Sequence, residues 1–455
     1  MSPDSTKLRR WFGPMPGRKE THAFSLMAIA VAFIVCIWAL FLGFHGETFL
    51  GRPLGGDFVQ FYVAGKILNQ YDAWRIYDLK LAVDLQHAVL PTMASTQMLV
   101  FGQAPYIAAL FRPFALLPYA WAYVVWLVFS AALYAASLAL FFQSARLNRN
   151  DKKTAYLLAL SAMPFLFETW IGGQVSVLAF FAWGLFFYCL HNEQRLLAGA
   201  ALALLLFKPT LVLLPAAMLL CGRRWRMLAG FTAGSAAMAL LSVVVAGWRG
   251  VTAWVETLLF DSRFTKDAVP VSHLAKNVDA NAFLQLIFGS GSRVAEVLFL
   301  LVCVVGFVAL AAAWWPAGKK KASDGLLWAA TLCFTLVLSP YAPIYDSILL
   351  VFAIALSANA IPQQARATFH AWLLLLYMLP WVTQSFAQFL HLQLFTLAVA
   401  VYGAWTLHWA NPVTYRLFNK ITSKPREILD LDSLKTAQEN GTMPNQSGHQ
   451  PTGRF

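Results

Sequence analysis

Asp57 stands in the run Gly55-Gly56-Asp57-Phe58-Val59-Gln60-Phe61-Tyr62-Val63-Ala64-Gly65. A carboxylate placed after a two-glycine turn and before an aromatic, helically spaced stretch could take a proton from an attacking hydroxyl, the work of a general base. Further polar groups interrupt apolar sequence at a few points only. They are Gly172-Gly173-Gln174-Val175-Ser176, Lys208-Pro209-Thr210 and Ser339-Pro340-Tyr341-Ala342-Pro343-Ile344-Tyr345-Asp346. Asp261, Arg263, Lys266, His273 and Lys276 form a looser group. Cations such as Lys208, Arg263 or His273 could balance negative charge building on a departing group. Tyr62, Gln174, Tyr341, Tyr345 and Asp346 are candidates for holding a substrate in place.

Each candidate has a plainer reading. Asp57 could cap the helix that follows it. Lys208 could lay its aliphatic stem along apolar surface with its ammonium at the water boundary. Gln174 could satisfy a helix end, and Tyr341 and Tyr345 could be aromatics of the membrane interface. His273, Arg263 and Lys266 could form a wet loop face. What sets the group apart is placement. Ionisable residues near the ends of apolar spans are expensive, and these all fall on one side of the expected membrane.

The elements that would position them follow from composition. Of 455 residues, 59% are hydrophobic and 12% charged, and the mean hydropathy is +0.60. Soluble domains carry about a quarter charged residues, so the chain reads as an integral membrane protein, all-α and polytopic. Apolar runs near the length of a crossing recur from Phe24–Phe44 to Leu392–His408, about 12 in all. With both termini in the cytoplasm, that side collects 23 of the 34 Lys and Arg but only 9 of the 21 acids. This is the asymmetry expected of cytoplasmic loops. It accounts for the net charge of +13 through membrane lipids, without a nucleic-acid partner.

Two outer loops are long, about residues 45–103 and 247–292. The first holds Asp57 and two helical stretches that read as interfacial. Phe111-Arg112-Pro113-Phe114-Ala115-Leu116-Leu117-Pro118 reads as a broken element, because proline removes a backbone donor and fixes φ. Residues 1–410 form the membrane domain. The tail, 411–455, reads as cytoplasmic and largely disordered at its end. Its Asp430-Leu431-Asp432 resembles a short acidic metal-sugar motif, here on the wrong face. Cys36, Cys189, Cys221, Cys303 and Cys333 read as packing residues. No Cys/His spacing suggests a metal site. The absence of a phosphate loop, a dinucleotide fingerprint and a nucleophile elbow argues against ATP, activated nucleotides and soluble hydrolase chemistry. No cofactor is expected.

Gly56-Asp57-Phe58, Phe61-Tyr62-Val63-Ala64-Gly65 and Ile76-Tyr77-Asp78 resemble the first outer loop of glycosyltransferase family 87, polyprenol-phosphate-mannose-dependent α-mannosyltransferases of the GT-C superfamily. Arg112-Pro113-Phe114-Ala115-Leu116-Leu117-Pro118, Gly173-Gln174, Lys208-Pro209, Arg223-Arg224-Trp225-Arg226 and Ser339-Pro340 continue the pattern in order. The resemblance implies a GT-C bundle in the plasma (inner) membrane, with its active site on the extracytoplasmic face. It implies a polyprenyl-phosphate sugar donor, a lipid or glycan acceptor, inversion at the anomeric carbon, and Asp57 as base. Where family members carry a histidine shortly after Ser-Pro, this chain has Tyr345-Asp346. Two other functions remain open on the residues alone: a transporter or flippase for lipid-linked sugars, and a non-catalytic envelope-assembly protein.

Overall fold

The structure, a computed structural model, describes residues 17–48, 53–93, 99–144, 149–264, 270–315 and 323–410, without the side chains of 144–150 and 260–269. The tail from residue 411, Arg146, Lys266 and Lys319–Lys321 lie outside the described residues, as do the side chains of Asp261 and Arg263. The expectations for the tail, its disorder and its Asp430-Leu431-Asp432 motif therefore fall outside the structure.

Helices make up the fold, and among the described residues no strand forms. In chain order they begin with α1 (Arg18–Phe44), α2 (Phe58–Gln70), α3 (Leu79–Val89), α4 (Pro105–Phe111), α5 (Tyr119–Ser144) and α6 (Arg149–Leu160). A π-helical stretch, Pro164–Ile171, follows. Then come α7 (Ser176–His191), α8 (Arg195–Ala203), α9 (Leu213–Cys221), α10 (Trp225–Phe264), α11 (Val271–Leu274) and α12 (Ala280–Phe288). The last are α13 (Arg293–Trp314), α14 (Asp324–Val337), α15 (Leu350–Ala360), α16 (Arg366–Met378), α17 (Thr383–Leu390) and α18 (Leu394–Ala410).

Burial follows the logic of a protein dissolved in lipid. On α1 the buried residues are Ser25, Ala28, Ala32 and Cys36, a small-residue stripe at helical spacing, while Leu26, Ile34, Ile37 and Trp38 face out. Lipid is as apolar as a core, so large side chains gain nothing by turning inward, and small ones permit close helix approach. α13 repeats the pattern over its first part, with Ala295 and Gly306 inside and Val297, Leu300 and Val304 outside, and buries Leu310 and Trp314 nearer its end. The centre is different. α14 is buried continuously from Leu326 to Val337. α7 supplies Phe180, Trp183, Phe186 and Phe187, which pack with Trp328 and Phe352.

Among the described residues four helices, in α1, α5, α10 and α13, are long and apolar enough to cross a membrane alone, and two bent pairs raise this to six. The bends are 47° between α6 and the π-helical stretch and 62° between α16 and α17. Six shorter apolar helices have 10–17 residues, below the roughly 20 that a straight crossing needs. The chain is thus a multi-pass helical membrane protein, but helix length does not establish about twelve crossings. α10 breaks at Gly247, whose φ of 67° interrupts the helix, at the boundary expected between a span and the second outer loop.

In the segment 45–103, α2 is buried on nearly every face, from Phe58 through Ile67. It packs inside the protein through a cluster that includes Phe111 and Trp126 rather than lying along a surface. The Arg112-Pro113 break falls between α4 and a short turn, Phe114–Leu116.

Candidate active site

Two glycine turns meet at Asp57. The first, Gly55-Gly56, has positive φ at both residues, 79° and 50°, and the second turns at Gly173 with φ 67°. Only glycine enters such conformations without steric cost. The approach is also too close for side chains. A Cβ on Gly173 would lie 2.5 Å from the Gly55 carbonyl oxygen and 2.6 Å from the Phe58 Cβ. The Asp57 N–H donates to the Gly172 carbonyl at 3.1 Å, joining the turns through their backbones.

One helix face holds both turns. Tyr119 and Tyr123 are one helical turn apart on α5 and so point the same way. The Tyr119 hydroxyl donates to the Leu54 carbonyl at 2.7 Å, and the Tyr123 hydroxyl to the Ile171 carbonyl at 2.6 Å. Across this joint the Gln174 side-chain amide donates to the Asp57 carboxylate. Asp57 immediately precedes α2, at its N-cap position, yet its side chain makes no capping bond there. Asp78 shows the contrast. It accepts the Leu81 N–H at 3.1 Å and pairs with Arg75 at 3.0 Å. The Leu81 N–H, helped by Arg75, holds its carboxyl below the usual range. Asp78 is a cap; half-buried Asp57 holds the Gln174 amide instead.

A second cluster hangs from the same 172–176 segment. Ser176 Oγ donates to Asp346 Oδ1 at 2.7 Å. Lys208 Nζ lies 2.6 Å from the Asp346 carboxylate and 4.6 Å from the centre of the Tyr345 ring. The Tyr345 carbonyl accepts from Thr169 of the π-helical stretch at 3.3 Å. Lys208 is 9% exposed and Asp346 1%, so the ammonium is paired inside the protein rather than lying along its surface. Lys208-Pro209 separates two short turns, Leu204–Phe207 and Pro209–Leu211. Pro209 has no N–H to continue a helix, which leaves room for the lysine to leave the helical path.

The Ser-Pro segment is clamped by residues 276–279. Asn277 and Pro343 form an isolated antiparallel bridge, with the Val278 N–H on the Ala342 carbonyl at 2.7 Å and the Ile344 N–H on the Lys276 carbonyl at 2.8 Å. Asp279 accepts the Ala282 N–H at 2.7 Å and the Ala342 N–H at 2.8 Å. Burial pushes its carboxyl up to about 7, against the pull of these backbone donors. Gln393 donates to the Ala275 carbonyl at 2.8 Å and accepts from Thr383. Asp279, Thr383, Gln393 and Ser176 were not among the expected site residues. Asp279 carried a readable signal, a short acid just before an apolar helical run; Gln393 carried none.

The remaining candidates are spread out. The Tyr62 hydroxyl donates to the Leu117 carbonyl at 2.9 Å and its ring packs on Tyr119, so it braces the wall behind Asp57. Tyr341 is 46% exposed and its side chain hydrogen-bonds Tyr345. His273 is exposed on the four-residue α11, and no described contact joins it to Asp57 or Lys208.

No curated protein and no solved structure matches the chain. A family model, glycosyltransferase family 87, matches residues 101–340, a range that holds Gln174, Ser176, Lys208 and Ser339-Pro340 and begins after Asp57. That range takes in more than half of the 455 residues, and the chain belongs to glycosyltransferase family 87.

Proposed function

We propose that this membrane glycosyltransferase moves a hexose, mannose by family resemblance, from a polyprenyl-phosphate donor to an acceptor hydroxyl on the extracytoplasmic face, with Asp57 as general base. The observation that carries the reading is the Gln174–Asp57 contact across two glycine turns. It orients a carboxylate that caps nothing, in a place where three close backbone constraints have been accepted to put it there. Asp57 takes the proton of the acceptor hydroxyl as its oxygen attacks the anomeric carbon. The bond to the donor phosphate breaks on the opposite face, so the configuration inverts. The phosphate leaves with negative charge, which needs a cation close by.

Lys208 is the described cation linked to this chemistry, through three contacts: Lys208 to Asp346, Ser176 to Asp346, and Gln174 of the same segment to Asp57. Its pairing with Asp346 sets a condition: the departing phosphate shares the ammonium with a carboxylate already present. The acceptor is a lipid or glycan hydroxyl, and the plasma membrane with cytoplasmic termini is the setting that the loop charges favour.

The test is sugar transfer from several polyprenyl-phosphate sugars by purified protein, with products identified by mass spectrometry. Asp57→Asn should lower the rate by about 10²–10⁴ while donor binding persists. Full activity in that variant would remove Asp57 as the base. Transport of labelled lipid-linked sugar into liposomes without a glycosidic product would replace the enzyme reading altogether.

A further inference from the structure

A cavity of about 320 Å³ lies between α6, α15 and α16, and Asp57 is not among its lining residues. Its body is hydrocarbon-like, lined by Leu158, Met163, Ile354, Leu373 and Leu376 among others. One end reaches Pro164, Ser347 and Ile348, beside the Asp346 cluster. The other end is polar and carries Thr154, Asp151, Arg366 and His370. Arg366 and His370 are four residues apart on α16 and so share a face. The Arg366 Nε is buried with no hydrogen-bond partner, a donor that an anionic oxygen would satisfy. The acid at this mouth, Asp151, is turned to Arg18 of α1 at 3.2 Å, and His22 of α1 shares a hydrogen bond with Thr154 at 2.9 Å. The mouth therefore gathers two arginines and two histidines around one paired acid.

We propose that this cavity is a binding site for an anionic glycerophospholipid, with its headgroup phosphate at Arg366 and His370 and an acyl chain along the cavity. The match is two-sided. Apolar walls accept a chain that is already in hydrocarbon without penalty, and the cationic mouth supplies the preference for a phosphate. In the orientation that the basic loops imply, the mouth opens at the cytoplasmic leaflet, opposite the face of Asp57. A donor whose phosphate reacts at Asp57 cannot place that same phosphate here, so the headgroup is a resident lipid's. The inference stands apart from the proposed transfer reaction.

The test reconstitutes the full chain in phosphatidylcholine nanodiscs containing a small fraction of phosphatidylglycerol with a photoreactive acyl chain, and maps the adducts. Adducts should fall on α6, α15 and α16 and be competed by unlabelled phosphatidylglycerol, not by phosphatidylcholine. Arg366→Gln should cut this labelling about tenfold, the scale of one charge-assisted hydrogen bond. Ala355→Phe, which fills the cavity from its lining, should abolish it. Should Arg366→Gln fail to fold, the comparison of lipids on the unaltered chain and the filled variant still decides. Equal labelling by the zwitterionic lipid, labelling unchanged in Ala355→Phe, or competition by polyprenyl phosphate alone would each overturn the proposal, the last by making the cavity the seat of a donor tail.

Discussion

Lys208 and Asp346 lie 2.6 Å apart with almost no solvent on either side, and Tyr345 roofs the ammonium. They sit 138 residues apart in the chain and join a helix break to the segment after Ser339-Pro340. A buried pair of this kind is costly to break and much less costly to replace whole. Removing one partner leaves an uncompensated charge, at about 3–5 kcal/mol, whereas an apolar pair of similar volume is often neutral. Thermal unfolding in detergent should therefore show Lys208→Met and Asp346→Leu each strongly destabilised and the double variant largely restored. Transfer activity separates structure from chemistry. If Lys208 shares its charge with the leaving phosphate, the restored double variant stays inactive; an active double variant assigns the pair to folding alone.

Gly173 offers a geometric test of the joint. At φ 67°, with its missing Cβ directed at the Gly55 carbonyl and Phe58, it has no room for a methyl group. Gly173→Ala should cost about 1–3 kcal/mol, the usual scale of backbone strain, and push the Asp57 turn away from Gln174. Activity should fall more than the melting temperature suggests. Gly102 has open space around its missing Cβ, so Gly102→Ala is the matched control and should change neither.

The readable part of this molecule was the part written in local pattern. The small-residue stripe and large apolar face of α1, the break at Arg112-Pro113 and the boundary at Gly247 all follow from residue type and spacing. Asp57, Gln174, Lys208 and Asp346 stood out because polar groups are rare here; the structure brings Asp57 and Asp346 to the 172–176 segment and Lys208 to Asp346. Their pairing was not legible. Nothing local says that Lys208 pairs with Asp346, or that Tyr62 turns its hydroxyl to the Leu117 carbonyl. Those contacts join segments far apart in sequence, and a single chain holds no record of which distant surfaces meet. The crossing count was equally obscure, since bent pairs and short helices do not declare whether each spans alone.

Asp279 predicts a pH dependence of stability. Its folded carboxyl is held up at about 7 by burial, while an unfolded aspartate titrates near 3.9. The folded state thus keeps a proton that the unfolded chain gives up. Its contribution is fully present below about pH 4, declines as pH rises toward 7 and is flat above that. The slope can reach at most about 1.4 kcal/mol per pH unit, one proton's worth. Melting temperatures across this range should decline accordingly, and Asp279→Asn should remove that component. The asparagine has one acceptor oxygen for two backbone donors, from Ala282 and Ala342, so the variant should also lose about 1 kcal/mol at every pH.

Gln174 makes the sharpest test of how Asp57 is used. The amide contributes a hydrogen bond and no charge, so its loss should disorder the carboxylate without altering the net charge of the site. Gln174→Ala should lower kcat more than it raises KM, since orientation of the base matters most in the transition state. Gln174→Glu does the reverse experiment. A second carboxylate against Asp57 disfavours ionisation of both, as like charges do when they share a site. The acidic limb of the kcat/KM profile should then move to higher pH, with activity recovering as the solution is made more alkaline. An unshifted profile with reduced rate would mean that the proton leaves through another group, and Asp57 would then be a residue that only shapes the turn.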